Sequence, residues 1–70
     1  MPIVRIDLLE GRAPERKRDL IRRVTDAVVA ALEVRPEQVR VLLNELPAEH
    51  WAVGGVPMSD RAQPAPPDAT

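Results

Sequence analysis

Pro2 is the residue in this chain whose chemistry would be most unusual if it were free. It follows Met1 and leads into Ile3-Val4-Arg5-Ile6. A small second residue is what a methionine aminopeptidase tolerates, so loss of Met1 is expected, leaving Pro2 as a secondary amine. An α-amino group titrates near ~7.7–8.0, and burial or nearby cations lower that by disfavouring the charged form. A terminal proline in a dry, arginine-lined pocket is then neutral at cellular pH. It can take up a proton and later return it. Its ring and the strand behind it hold it rigid. Many proteins begin Met-Pro with no chemical consequence, so the rest of the chain must supply the pocket. Arg40 stands between Val39 and Val41, where a mid-strand charge wants a partner or an interface. Arg12 follows Gly11, a position where an exposed loop side chain is the ordinary outcome. Trp51 is the sole aromatic residue and suits either a core plug or a pocket wall. His50 beside it is a candidate acid or base by residue type, but a loop histidine is usually solvated and receives no role. Asp7 and Glu10 read as surface or interface carboxylates.

The elements that must position these residues follow from periodicity. Ile3 to Leu9 puts Val4, Ile6 and Leu8 on one face of a strand and Ile3, Arg5, Asp7 and Leu9 on the other. Glu10-Gly11-Arg12 breaks that pattern with a turn. A helix is expected from about Pro14 to Glu33. Pro14 fits its first position and Glu15 the positive end of its dipole, whereas Ala13 is a poor N-cap. Its apolar stripe is Leu20, Ile21, Val24, Ala27, Val28, Ala31 and Leu32. Arg16, Arg18, Asp19, Arg22, Arg23 and Asp26 lie mostly off it and read as a solvated face. Pro36 cannot continue the helix and restrains Arg35. Val39 to Leu46 reads as a second strand, closed by Pro47. Gly54-Gly55 between Val53 and Val56 signals a tight turn or short hairpin.

Strand, long helix, strand is a βαβ unit with parallel strands and a right-handed crossover. The expected fold class is therefore α/β (α+β): one βαβ unit with a short C-terminal hairpin. Two strands and one helix leave an open edge and an uncovered face, which pairing with a second copy through shared sheets would cover. The folded domain is assigned to residues 1–57. Residues 58–70, rich in proline and poor in apolar surface, read as a disordered tail.

Composition narrows the function. Seventy residues make one domain near the lower size limit for independent folding. With no cysteine and one histidine, neither disulfides nor a thiolate or histidine metal site is expected to compensate. Small scaffolds without such staples usually gain stability by oligomerising. Ten basic and eleven acidic side chains give a net charge of -1. Without a basic groove or stacking rings, nucleic acid is not an expected partner. No apolar run approaches the roughly 18 residues of a membrane span, and no signal-peptide pattern precedes the domain. A soluble, cytoplasmic protein with no membrane partner is expected.

Several fragments in this order resemble the 4-oxalocrotonate tautomerase family. They are Pro2-Ile3, Ile6-Asp7-Leu8-Leu9-Glu10-Gly11-Arg12, Leu20-Ile21, Val39-Arg40-Val41 and His50-Trp51-Ala52-Val53-Gly54-Gly55. Together they span roughly residues 2 to 56. The resemblance implies Pro2, Arg12 and Arg40 as catalytic residues, with Leu9, Trp51 and Val53 lining the substrate pocket and no metal. It implies a homohexamer built as a trimer of dimers, each site drawing on neighbouring chains. It also implies a cofactor-independent enol–keto isomerase acting on 2-hydroxymuconate-like 2-hydroxydienoates or related 2-oxo acids, a chemistry found in aromatic-hydrocarbon catabolism. Trp51 stands where the family more often has Phe, and the Pro-rich tail departs from the short family pattern. Two alternatives remain open at this stage. One is a lyase or hydratase of the same superfamily, decarboxylase- or dehalogenase-like, acting on small unsaturated acids. Apolar Val53 speaks against it, because water-activating relatives carry an acid there. The other is a non-catalytic oligomeric module in which Pro2 is idle.

Overall fold

The computed structural model describes residues 1–61. Strand β1 spans Ile3–Leu9, helix α1 Pro14–Leu32 and strand β2 Arg40–Leu46. A short hairpin follows, β3 at Ala52–Val53 and β4 at Val56–Pro57. Single 3-10 turns fill the connections at Pro36–Gln38, Ala48–His50 and Met58–Asp60. This is the expected α/β fold, a βαβ unit with a C-terminal hairpin. The composition-based tail begins within it: Met58–Asp60 form a turn, while residues 62–70 lie outside the described part of the chain.

β1 and β2 pair in parallel over their whole length, Ile3 opposite Arg40 through Leu9 opposite Leu46. That register puts Val4, Ile6 and Leu8 beside Val41, Leu43 and Glu45 on one face, and alternation puts Ile3, Arg5, Asp7 and Leu9 on the other. Val4, Ile6, Val41 and Leu43 are half-buried and Leu8 is buried, so this first face is the one α1 covers. Glu45 interrupts its apolar pattern, and Lys17 of α1 meets it with Nζ 2.9 Å from the carboxylate. On the opposite face Asn44 Nδ2 donates to Asp7 Oδ1 at 3.0 Å.

The apolar stripe of α1 is only partly used. Leu20, Val24, Val28 and also Val29 are half-buried, whereas Ile21, Ala27, Ala31 and Leu32 are exposed. Two strands about 5 Å apart are too narrow to cover the wide apolar arc the sequence supplies. Leu8 is the sole buried apolar residue among those described, and Ile3, Leu42 and Leu32 stand about half exposed.

Local choices explain the ends of the elements. Ala13 is the N-cap of α1 and provides no side-chain hydrogen bond. The helix stops at Leu32, before Pro36 is reached, because Glu33 turns into the left-handed region at φ 54°. Gln38 then caps the next turn, its Oε1 accepting from the Arg35 N–H at 2.9 Å. In the hairpin, Gly54 and Gly55 have φ of 60° and 83°, the pair of positive values that a two-residue type I′ turn requires.

Candidate active site

A cavity of about 600 Å³ lies at the C-terminal end of β1. Its lining includes Leu9, Arg12, Trp51 and Val53, all assigned to the site from sequence. They come from three separate places in the chain. Leu9 ends β1, Arg12 follows the Gly11 turn, and Trp51 and Val53 belong to the connection and hairpin after β2.

Each is positioned by backbone. Gly11 has φ 118°, a conformation open to glycine and rarely to other residues, and it folds the chain back after β1. Arg12 Nη1 donates to the carbonyl of Leu9 at 3.1 Å across that turn, so its guanidinium is held at the cavity. The Ala48–His50 turn leads directly into Trp51, which lines the cavity. The Trp51 carbonyl then accepts the N–H of Met58 at 2.7 Å, closing the hairpin segment. Half-buried Trp51 offers an apolar wall, and a face of this kind excludes water from whatever lies against it. His50, given no role from sequence, is exposed and is not part of the lining.

Pro2 and Arg40 are elsewhere. The Arg40 N–H donates to the Pro2 carbonyl at 2.9 Å, so the two are neighbours at the opposite end of the parallel ladder. The Arg40 guanidinium donates through Nη1 to the carbonyl of Glu37 at 2.9 Å, within its own turn. β1 is seven residues long, and at 3.3 Å per residue it separates the two groups by about 20 Å. The residues assigned from sequence thus fall into two groups, one at each end of the sheet.

Sequence reasoning did not assign Ile6, Asp7, Arg16, Leu20, Met58 or Arg61 to the cavity, yet all contribute to its lining. Arg16 was readable, since it lies four residues beyond Arg12 at the first turn of α1. Met58 and Arg61 were not, because their composition belongs with the tail.

Comparison with known proteins agrees with this architecture. The family model described as tautomerase enzyme matches residues 2–61. A probable tautomerase of Ralstonia nicotianae is 47% identical over 64 residues, with 91% of each chain covered. A 2-hydroxymuconate tautomerase of Pseudomonas sp. strain CF600 is 44% identical over 59 residues, covering 84% of this chain and 94% of the relative. Among solved structures, a 4-oxalocrotonate tautomerase homologue superposes with a TM-score of 0.84 at 44% identity, covering 90% of this chain and all of the other. A heterohexameric 4-oxalocrotonate tautomerase from Chloroflexus aurantiacus does so with a TM-score of 0.81 at 42% identity, over 86% of this chain and 97% of that one. The chain belongs to the tautomerase family, and its role is that of a tautomerase, an isomerase.

Proposed function

We propose that this chain is a cofactor-independent enol–keto tautomerase of 2-hydroxydienoates such as 2-hydroxymuconate, working as a homo-oligomer, with the amine of Pro2 as base and acid once Met1 is removed. The observation that carries the proposal is the convergence of Leu9, Arg12, Trp51 and Val53 on one cavity. This brings a carboxylate-binding cation against an apolar wall. A six-carbon conjugated diacid needs that combination, a planar apolar middle with charge at its ends.

In this reading neutral Pro2 removes the proton from the 2-hydroxyl oxygen, and the electron pair moves through the diene. The pyrrolidinium then delivers the proton to a carbon of the chain, leaving the 2-oxo acid and the free amine. Arg40 stabilises charge that develops at the 2-oxygen and first carboxylate. Arg12 holds the far carboxylate bidentately, as a planar guanidinium does best. Trp51 covers the diene and keeps water out.

Because Pro2 and Arg40 stand about 20 Å from the Arg12 cavity in one chain, the complete site is assembled between chains. Half-exposed Ile3 and Leu42 on the uncovered sheet face supply apolar surface for that association, and a homohexamer built as a trimer of dimers satisfies the geometry. The kinship with 2-hydroxymuconate tautomerases of Pseudomonas supports the substrate class.

The test is an ultraviolet assay of Met1-free protein with 2-hydroxymuconate, following loss of the conjugated enol. Ketonisation far above the buffer rate, lost in Pro2→Ala while the assembly persists, is the expected outcome. Full activity in protein that retains Met1 by intact mass would exclude Pro2 as the base, since an acylated nitrogen has no basicity.

A further inference from the structure

Two residues at the same end of the molecule each break a local rule. Lys17 is the fourth residue of α1, where the positive end of the helix dipole favours an anion and disfavours a cation. Glu45 stands on the sheet face that α1 covers, at the position after Val41 and Leu43 where alternation calls for another apolar side chain. One bond answers both departures. Lys17 Nζ lies 2.9 Å from Glu45 Oε1, and the two side chains are only 27% and 33% exposed. The partners are 28 residues apart in sequence and join helix to strand. The ion pairs of Asp19 with Arg22 and Arg23, by contrast, stay within the helix.

This bond is placed where it can hold one wall of the cavity. The segment between β1 and α1 carries Arg12, and the start of α1 carries Arg16 and Leu20, all in the lining. On the strand side the segment is fixed by the Glu10 N–H, which donates to the Leu46 carbonyl at 3.0 Å. On the helix side Ala13 supplies no side-chain cap. The first turn rests there on its backbone, with the N–H groups of Arg16 and Lys17 donating to the Ala13 carbonyl at 3.0 and 3.3 Å. Those bonds shape the turn but do not determine where it lies over the sheet. Glu45 is next to Leu46 in β2 and opposite Leu8 in β1, so the Lys17 bond ties the helix start to the same strand end that holds Glu10.

We infer that Lys17 and Glu45 are positioning residues: their bond sets where the first turn of α1 lies over the end of β2, and through it the placement of Arg12 in the cavity. An apolar pair of similar volume would hold helix to sheet as well or better, because it avoids desolvating two charges. It would not fix one direction between them, as a hydrogen-bonded charge pair does. Displacing a binding group by about 1 Å is enough to cost a large factor in affinity or rate. The inference rests on the isomerase reading for which substrate is turned over, but not for the bond itself.

The test uses the assembled, Met1-free chain with 2-hydroxymuconate as substrate. The binding probe is trans,trans-muconate, which has no 2-hydroxyl to react, read by fluorescence of Trp51, the only tryptophan and part of the cavity wall. In Lys17→Met and Glu45→Gln, KM and the muconate Kd are expected to rise together about five- to tenfold, with kcat within about twofold of native. The apolar double variant, Lys17→Met with Glu45→Leu, keeps the native urea midpoint and still shows the raised KM and Kd. The exchanged pair, Lys17→Glu with Glu45→Lys, restores the bond in reverse and brings both constants back to within about twofold. Native KM and Kd in the apolar double variant overturn the inference, and so does an exchanged pair as impaired as the single variants. Hydrogen exchange of the Arg16 amide gives a readout without ligand, expected to be about tenfold faster in the apolar double variant than in the native chain. Equal protection there overturns the inference too. A native chain that does not turn over 2-hydroxymuconate refutes the isomerase reading, and muconate affinity and amide exchange then decide the positioning by themselves. Turnover with unaltered constants and exchange does the reverse.

Discussion

Arg12 and Arg40 have the same side chain in different settings, and the difference predicts different kinetics. Arg12 is half-buried at the cavity and tied to the Leu9 carbonyl. Arg40 is exposed beside Pro2 and tied to the Glu37 carbonyl. Arg12→Ala should raise KM for the diacid by about 10- to 100-fold with a smaller change in kcat, as loss of a charge-assisted bidentate contact does. Arg40→Ala should lower kcat by about 100-fold, because in the proposed mechanism it acts on charge present mainly in the transition state. Steady-state kinetics of both variants check this, and equal effects on KM alone would contradict the division of roles. Arg12→Lys separates the clamp from the charge: it keeps the cation but loses both the fork and the tie to Leu9. At this scale the sequence was legible where a residue had an odd neighbour. An arginine between valines and a lone tryptophan were visible without coordinates. Arg61 was not, since nothing in a proline-rich stretch says that its first turn packs back toward Trp51.

Both ends of α1 depart from what its sequence would do best. The N-cap Ala13 leaves the first N–H groups without a side-chain acceptor, and serine there should stabilise the fold by about 1 kcal/mol per chain. Glu33 occupies the left-handed region at φ 54°, where a Cβ costs about 1 kcal/mol and glycine costs little. Glu33→Gly should therefore be neutral or stabilising by up to about 1 kcal/mol, unlike glycine at any interior helix position, which destabilises by a similar amount. Urea titrations of Ala13→Ser, Glu33→Gly and an interior control such as Ala30→Gly decide this, and a loss of stability in Glu33→Gly would contradict it. The weak N-cap was readable in advance. The helix stop was readable to within a residue, but for the wrong cause, because Pro36 made a later break obligatory while Glu33 made the actual one. The expected apolar stripe was also wider than the surface it found, since the width of a sheet is a property of pairing and not of any helix.

A single buried apolar residue among those described is too little core to hold the chain by itself. Folding and association should form one transition, with a midpoint that rises with protein concentration. The distance between Pro2 and Arg12 within one chain allows a sharper test of the proposed shared site. Pro2→Ala and Arg12→Ala are each expected to be inactive alone, yet their co-expressed mixture should recover activity in about a quarter of the sites, those that combine an intact Pro2 from one chain with an intact Arg12 from another. No recovery in a verified mixed assembly would mean that both residues serve the same chain. The βαβ topology was legible from periodicity, but the distribution of the assigned residues over both ends of the sheet was not, because it depends on strand length and direction together. That distribution has a consequence for descent. If a gene of this kind is duplicated, one copy can lose its proline end and the other its arginine end without loss of activity, provided the two proteins co-assemble. Each copy then depends on the other, and an obligate pair of distinct subunits arises by loss alone, with no new contact or catalytic group required.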